Sequence, residues 1–275
     1  LQNSVPEIWN PVSGEIAPIT VFEQKGKYIR LPLTLPPYGS QLIVFRKGTA
    51  SDEQFTSVQQ SGQHPPKMEF TAEGIHFLED GDVVLQKQQE KTTVSNNLKS
   101  QKIKGDWEVS FPENWGAPAA VTFPELISWT ESENEGVRYF SGTATYKKSF
   151  DFNLTDTENQ KIYLDLGDVQ KVAEVWLNGE RLGITWAKPH RFDVTEIIKT
   201  GKNNLLIEVA NVWSNRLKGD AVTGKNFTNT NIRHTMIPSE GILAGDQTRH
   251  PWKDVPLIES GLMGPVRITA VKLKK

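Results

Sequence analysis

A chain of 275 residues is long enough for one large domain or two modest ones, each with a buried core. A formal net charge of −2 gives neither the basic field that favours nucleic acid nor an acidic solvating tail. Cysteine is absent, which excludes disulfides and thiolate metal sites and leaves a bacterial periplasm as open as a cytosol.

No apolar stretch approaches the roughly 20 residues that a membrane helix needs. The opening "LQNSVPEIW" has neither Met nor a signal-like apolar segment, so the expectation is a soluble chain, truncated or processed. Eight tryptophans, 21 glycines and 16 prolines suit a turn-rich β protein better than a helical bundle.

In chain order, "EIWNPVSGEIAPI" predicts two extended runs around a Pro/Ser/Gly turn. Leu31, Leu33 and Leu35 recur every second residue and predict an edge strand; Pro-Pro-Tyr-Gly-Ser then breaks the chain, and Leu42 to Phe45 resumes a strand. Residues 1–47 read as a small β unit. Residues 48–66 gather Ser, Gln, Gly and Pro and read as a linker. Beyond it, "KMEFTAEGIHFLEDGDVVLQKQ" predicts strands around Glu-Gly and Asp-Gly turns, and Trp107, Val109 and Phe111 alternate as another. From "VRYFSGTATYKKSFDF" to "GPVRITAVKLKK" the strands follow at irregular spacing with long loops, the pattern of a β-sandwich over 67–275. Two helical turns are expected, at "FPELISW" and at "DVTEIIKTG", where Asp193 and Glu196 form a capping-box pattern.

Glycoside hydrolysis needs two carboxylates facing across a site. Glu131, Glu133 and Glu135 are too crowded in polar sequence for one to be desolvated, and they read as a solvated turn. Asp220, Glu240, Asp246, Asp254 and Glu259 sit in a long polar loop without an acid/base pattern. His64, His76, His190, His234 and His250 show no metal-binding spacing, and neither a nucleophile elbow nor a phosphate loop occurs. A structural calcium on loop oxygens such as Asp168 or Asp193 would leave no sequence trace.

Aromatic and amide chemistry stands out instead. Trp176, Trp186 and Trp213 lie on or beside the clearest strands, with Asn178, His190, Arg191, Asn211, Asn215 and Arg216 nearby. Sugars offer C–H faces to aromatic rings and hydroxyls to amides and guanidinium forks. Trp176 alternates with Val175 and Leu177 and fits core packing better than ligand stacking. Asn178-Gly179 is first a hairpin turn, and Arg216 with Asp220 could simply order a loop. The candidate carbohydrate contacts are therefore Trp186, His190, Arg191, Trp213, Asn215 and Arg216, with no catalytic residue.

The stretch "LDLGDVQKVAEVWLNGERLGITWAKPHRFDVTEIIKTGKNNLLIEVANVWSNRLKGD" resembles the sugar-binding jelly-roll domain of family 2 glycoside hydrolases. "GVRYFSGTATYKKSF" and "SGLMGPVRI" are similar, more narrowly, to the C-terminal region of bacterial α-L-rhamnosidases of glycoside hydrolase family 106. The match is best over 101–275. It implies an all-β fold, a galactose-binding-like jelly-roll β-sandwich preceded by a smaller β unit. It also implies a non-catalytic accessory role whose partners are a glycan and an N-terminal catalytic barrel domain, with no nucleic acid or membrane involved. No cofactor is required, and the location implied is periplasmic or secreted. The alternatives are a purely structural domain packed on the barrel and a self-sufficient glycosidase.

Overall fold

The computed structural model describes residues 3–35, 39–49, 54–60, 66–153, 160–230, 234–236 and 249–274, of which 234–236 and 249–250 as backbone only. The chain forms two compact units. The first takes Leu1–Gln101, Thr155–Tyr163 and Thr269–Lys275; the second takes Lys102–Leu154 and Leu164–Ile268. Both are built mainly of strands, and no described helix is long and apolar enough to cross a membrane.

In the first unit, strand Ser4–Trp9 pairs antiparallel with Ile16–Pro18 on one side and Leu42–Lys47 on the other, as the opening turn predicts. Met68–Thr71 and Gly74–Phe77 form a hairpin, and Gly81–Lys87 pairs with both Glu90–Asn96 and Ser57–Gln60. Period-two alternation sends Met68, Phe70, Val83 and Leu85 inward to one core, where they meet Ala17, Ile19, Val21, Phe55 and Val58. Phe55 and Val58 belong to the stretch expected to be a linker. The polar composition of 48–66 thus hides a strand with one buried side chain, and the first unit runs on to Gln101. The strand expected at Leu31 to Leu35 also fails. Pairing ends at Arg30, Pro32 has no N–H to donate, and Leu33 and Leu35 are exposed. The Pro36-Pro37-Tyr38 break lies outside the described residues.

The second unit is a β-sandwich. Its larger sheet is antiparallel, in the order Ala120–Phe123, Trp107–Ser110, Thr143–Phe152, Gly201–Ala210, Val172–Leu177, Glu180–Thr185. Register aligns the buried residues on one face: Val109 opposes Tyr146, Tyr146 opposes Ile207, and Ile207 opposes Val175. The Tyr146 hydroxyl accepts from Trp129 Nε1 at 2.5 Å and from the Leu262 amide at 3.1 Å. It thereby ties this sheet to the small ladder of Gly261–Gly264 with Asp168–Gln170. Burial holds its pKa far above the ordinary phenol value, so it stays a neutral structural hydroxyl.

Asn178-Gly179 does form the two-residue turn, with φ of 54° and 89° between the paired Leu177 and Glu180. The helical turns differ from expectation. After strand Ala120–Phe123 the chain stays irregular until a 3₁₀ turn at Trp129–Glu131, capped by the Ser128 hydroxyl. Asp193 caps only a tight turn, because the chain must re-enter a strand at Gly201. The longest described helix, Ser214–Thr223, lies instead in the loop read as irregular, and it ends at Gly224 in a left-handed conformation with φ 72°.

Candidate functional site

The sheet register gathers three loops at one end of the second unit. Ser110 opposes Thr145, Thr143 opposes Ala210, Ala210 opposes Val172, and Ala173 opposes Thr185. The chain leaves that end after Ser110 toward Trp115, after Ala210 toward Trp213, and after Thr185 toward Trp186. Trp115 and Trp213 meet edge to face, with ring centroids 5.7 Å apart and planes at 89°. Trp115 is fixed by its Nε1 donating to the Ser141 carbonyl, while Trp213 is 57% exposed. Trp186 is 61% exposed and follows a strand two places along the sheet, roughly 10 Å away by the usual strand spacing. Val172 and Val212 are also exposed at this end.

The other candidates divide sharply from these rings. His190 is buried, with Nδ1 2.9 Å from the Thr185 hydroxyl, and its carbonyl accepts from the Leu166 amide at 2.9 Å. Burial lowers its pKa and Lys188 adds to that, against the weaker pull of Asp168 and Asp165; the imidazole is neutral at neutral pH. Arg191 is half-buried and opens the strand Arg191–Asp193. Asn215 is buried, donating from Nδ2 to the Ile258 carbonyl (2.7 Å) and the Ser260 hydroxyl (3.0 Å) and accepting from the Ile258 amide (2.8 Å). Arg216 is buried beside Asp220, Nε to Oδ1 3.2 Å, with its guanidinium 4.8 Å from the Phe227 ring centroid. Burial lowers the Arg216 pKa and Asp220 opposes that. Asp220 also accepts from the Thr228 amide and hydroxyl, at 2.9 and 2.8 Å.

The helix Ser214–Thr223 therefore pins both ends of the long excursion that follows it. Asp220 holds Thr228 on the way out. Asn215 holds Ile258 on the way back, where Lys218 also donates to the Lys253 and Val255 carbonyls. Packing explains the glycines of "NRLKGD" and "SGLMG". A Cβ on Gly219 would collide with Arg216 and Tyr139, and one on Gly261 would lie 2.5 Å from Trp129 Nε1.

Trp176 lies on the outer face of its strand, half-buried, while Ala173, Val175 and Leu177 fill the core. Glu131, Glu133 and Glu135 are exposed to solvent. Asp168 pairs with Lys188 at 2.5 Å, and Asp193 accepts from the Thr195 amide and hydroxyl; among the described residues no cluster of three or more metal-ligating side chains occurs. His64, Glu240 and Asp246 lie outside the described residues, as do the side chains of His234 and His250. The residue that sequence reasoning misses is Trp115. Its motif "PENWGAP" reads only as a loop, and long-range pairing of Ser110 with Thr145 delivers it to Trp213.

Fold and register together define a galactose-binding-like β-sandwich. Residues 127–244 match the family described as glycosyl hydrolase 2 galactose-binding domain-like. The chain is similar to a Formosa agariphila protein named "Putative beta-glucuronidase", with 39% identity over 190 residues covering 66% of this chain. A second protein of that organism and name is 28% identical over 112 residues, covering 38% of this chain. Among solved structures, a rhamnosidase from Novosphingobium sp. PP1Y matches 98% of this chain with a TM-score of 0.66 and 28% identity. The chain spans 16% and 10% of those two curated relatives and 21% of the rhamnosidase.

Proposed function

We propose that this chain is the non-catalytic, carbohydrate-binding accessory region of a secreted or periplasmic bacterial glycoside hydrolase of the α-L-rhamnosidase type. In this reading the protein acts on plant or host glycans, and a catalytic barrel N-terminal to this region performs the chemistry. The observation that carries the reading is the set of Trp115, Trp213 and Trp186 at one end of the sandwich. Two of these rings are more than half exposed, where an ordinary core would bury them. A span of roughly 10 Å between the strands that lead to Trp213 and Trp186 suits two consecutive sugar rings better than one. The rhamnosidase likeness supports the choice of class, because it takes in both units. The exposed setting of Glu131, Glu133 and Glu135 supports a non-catalytic role, since a carboxylate pair that works across a site is set apart by a sheltered pocket and these three lie in water.

A plant and host glycan array, followed by calorimetry on the strongest hit, tests this. Trp213→Ala and Trp186→Ala should each weaken binding by roughly tenfold or more while leaving the thermal midpoint unchanged. An array without a single hit for the wild-type chain overturns the glycan reading. Turnover of a nitrophenyl rhamnoside by the chain alone overturns the non-catalytic one.

A further inference from the structure

The helix Ser214–Thr223 starts without a cap of its own. Its N-cap residue is Trp213, whose side chain accepts nothing from the amides of the first turn. The acceptor comes from elsewhere in the fold: the Arg216 amide donates to the Ser141 hydroxyl at 3.0 Å, from a residue 75 positions earlier. Ser141 is buried, so water does not compete for that bond. A cap supplied across the fold releases the N-cap position from the usual Ser, Thr, Asp or Asn. An exposed indole stands there instead.

The same residue holds the facing ring. The Ser141 carbonyl accepts from Trp115 Nε1, and Trp115 meets Trp213 edge to face. The strip that carries Ser141 is bracketed by Asn211, two places before Trp213. Asn211 Nδ2 donates to the Phe140 carbonyl at 2.9 Å, its Oδ1 accepts from the Gly142 amide at 2.9 Å, and its own amide donates to the Gly142 carbonyl at 3.3 Å. Both rings are thus tied to one clamped residue, through different atoms of it.

We infer that Ser141 is a positioning residue of the proposed glycan site: its hydroxyl sets Trp213 and its carbonyl sets Trp115, so the two rings stand as a corner formed before any sugar arrives. Ser141 is buried and acts through the indoles rather than on the ligand. The inference rests on the carbohydrate-binding reading and adds where the site's order comes from. A preformed corner spares the ligand the cost of ordering two aromatic side chains.

Calorimetry on the glycan-array hit, with the full 275-residue chain, tests this through a double-variant cycle. Ser141→Ala removes the hydroxyl and leaves the carbonyl that holds Trp115, so binding should weaken roughly fivefold, which is what a lost cap is worth. In a Trp213→Ala background the same change should cost nothing further, because no ring is left for the hydroxyl to position. Without ligand, near-ultraviolet circular dichroism should show Ser141→Ala losing part of the indole–indole signal that Trp115→Phe abolishes. Should alanine prevent folding, Ser141→Cys, with a weak acceptor in nearly the same volume, carries the same cycle. Undiminished binding in the Ser141 variant, or a loss that multiplies with that of Trp213→Ala, overturns the inference and leaves the glycan reading standing. A wild-type chain that binds no glycan overturns both.

Discussion

At the scale of single residues, chemistry that looks like recognition in the sequence is largely turned inward. Asn215 and Arg216 carry the amide and guanidinium that a sugar would use, yet both are buried and spend their hydrogen bonds on Ile258, Ser260 and Asp220. Asn215→Ala should cost about 2–4 kcal/mol in urea unfolding, because it leaves the Ile258 amide without its partner and takes from the Ile258 carbonyl one of two donors, the Ser260 hydroxyl being the other. His190 gives a pH signature. Its pKa is depressed in the folded state by burial and by Lys188, with Asp165 and Asp168 facing it, so the unfolded chain takes up a proton at a higher pH than the folded one. Stability of the second unit is therefore full above the unfolded value of about 6.5 and falls as the pH drops below it. In paired urea melts at pH 7.5 and 5.5, His190→Gln should narrow the wild-type difference; an equal difference in both proteins refutes the assignment.

At the scale of elements, alternation was a sufficient guide wherever one face of a strand meets a core. Trp107, Val109 and Phe111 are all buried, as their spacing predicts, and Asn178-Gly179 turns where it should. Elements whose ends lack the usual signals were illegible. Helix Ser214–Thr223 begins at Trp213, which offers no capping side chain, and holds Gly219 in its middle, so neither start nor propensity announces it. The Asp193/Glu196 pattern announces a helix that chain length forbids, since only seven residues separate two strands. Trp186 and Trp213 were legible one by one, but Trp115 and the grouping were not. Trp115 reaches Trp213 through register between strands more than 30 residues apart in sequence. Gly261 is a comparable case: a positive φ of 98° and the Trp129 indole behind it are set by tertiary packing. Gly261→Ala should destabilise the fold by about 1–3 kcal/mol or more in the same urea assay, through backbone strain and a clash with a buried ring.

At the scale of the whole molecule, the first unit is assembled from three separate stretches of chain, which a linear division of the sequence does not show. The final strand returns to pair Leu273 with His76 and Lys274 with Ile75. Tyr163 comes back as well, its hydroxyl 2.9 Å from His76 Nδ1 and its ring edge-on to the imidazole at 5.7 Å. His76 is buried, so without Tyr163 and the last strand a polar ring and the Gly74–Phe77 strand edge would be opened to water. A fragment of residues 1–101 should therefore fail to hold a cooperative fold: it contains the buried cluster that runs from Ala17 to Val94 but lacks the buried Ile162, Tyr163 and Val271. Circular dichroism on heating should show a broad, shallow transition for that fragment and a sharp one for the full chain. A sharp transition in the fragment would mean that the returning segments decorate the first unit rather than complete it. The same dependence explains why a boundary at 48–66 looked reasonable: composition records local polarity, whereas the division follows contacts closed by residues more than 80 positions away.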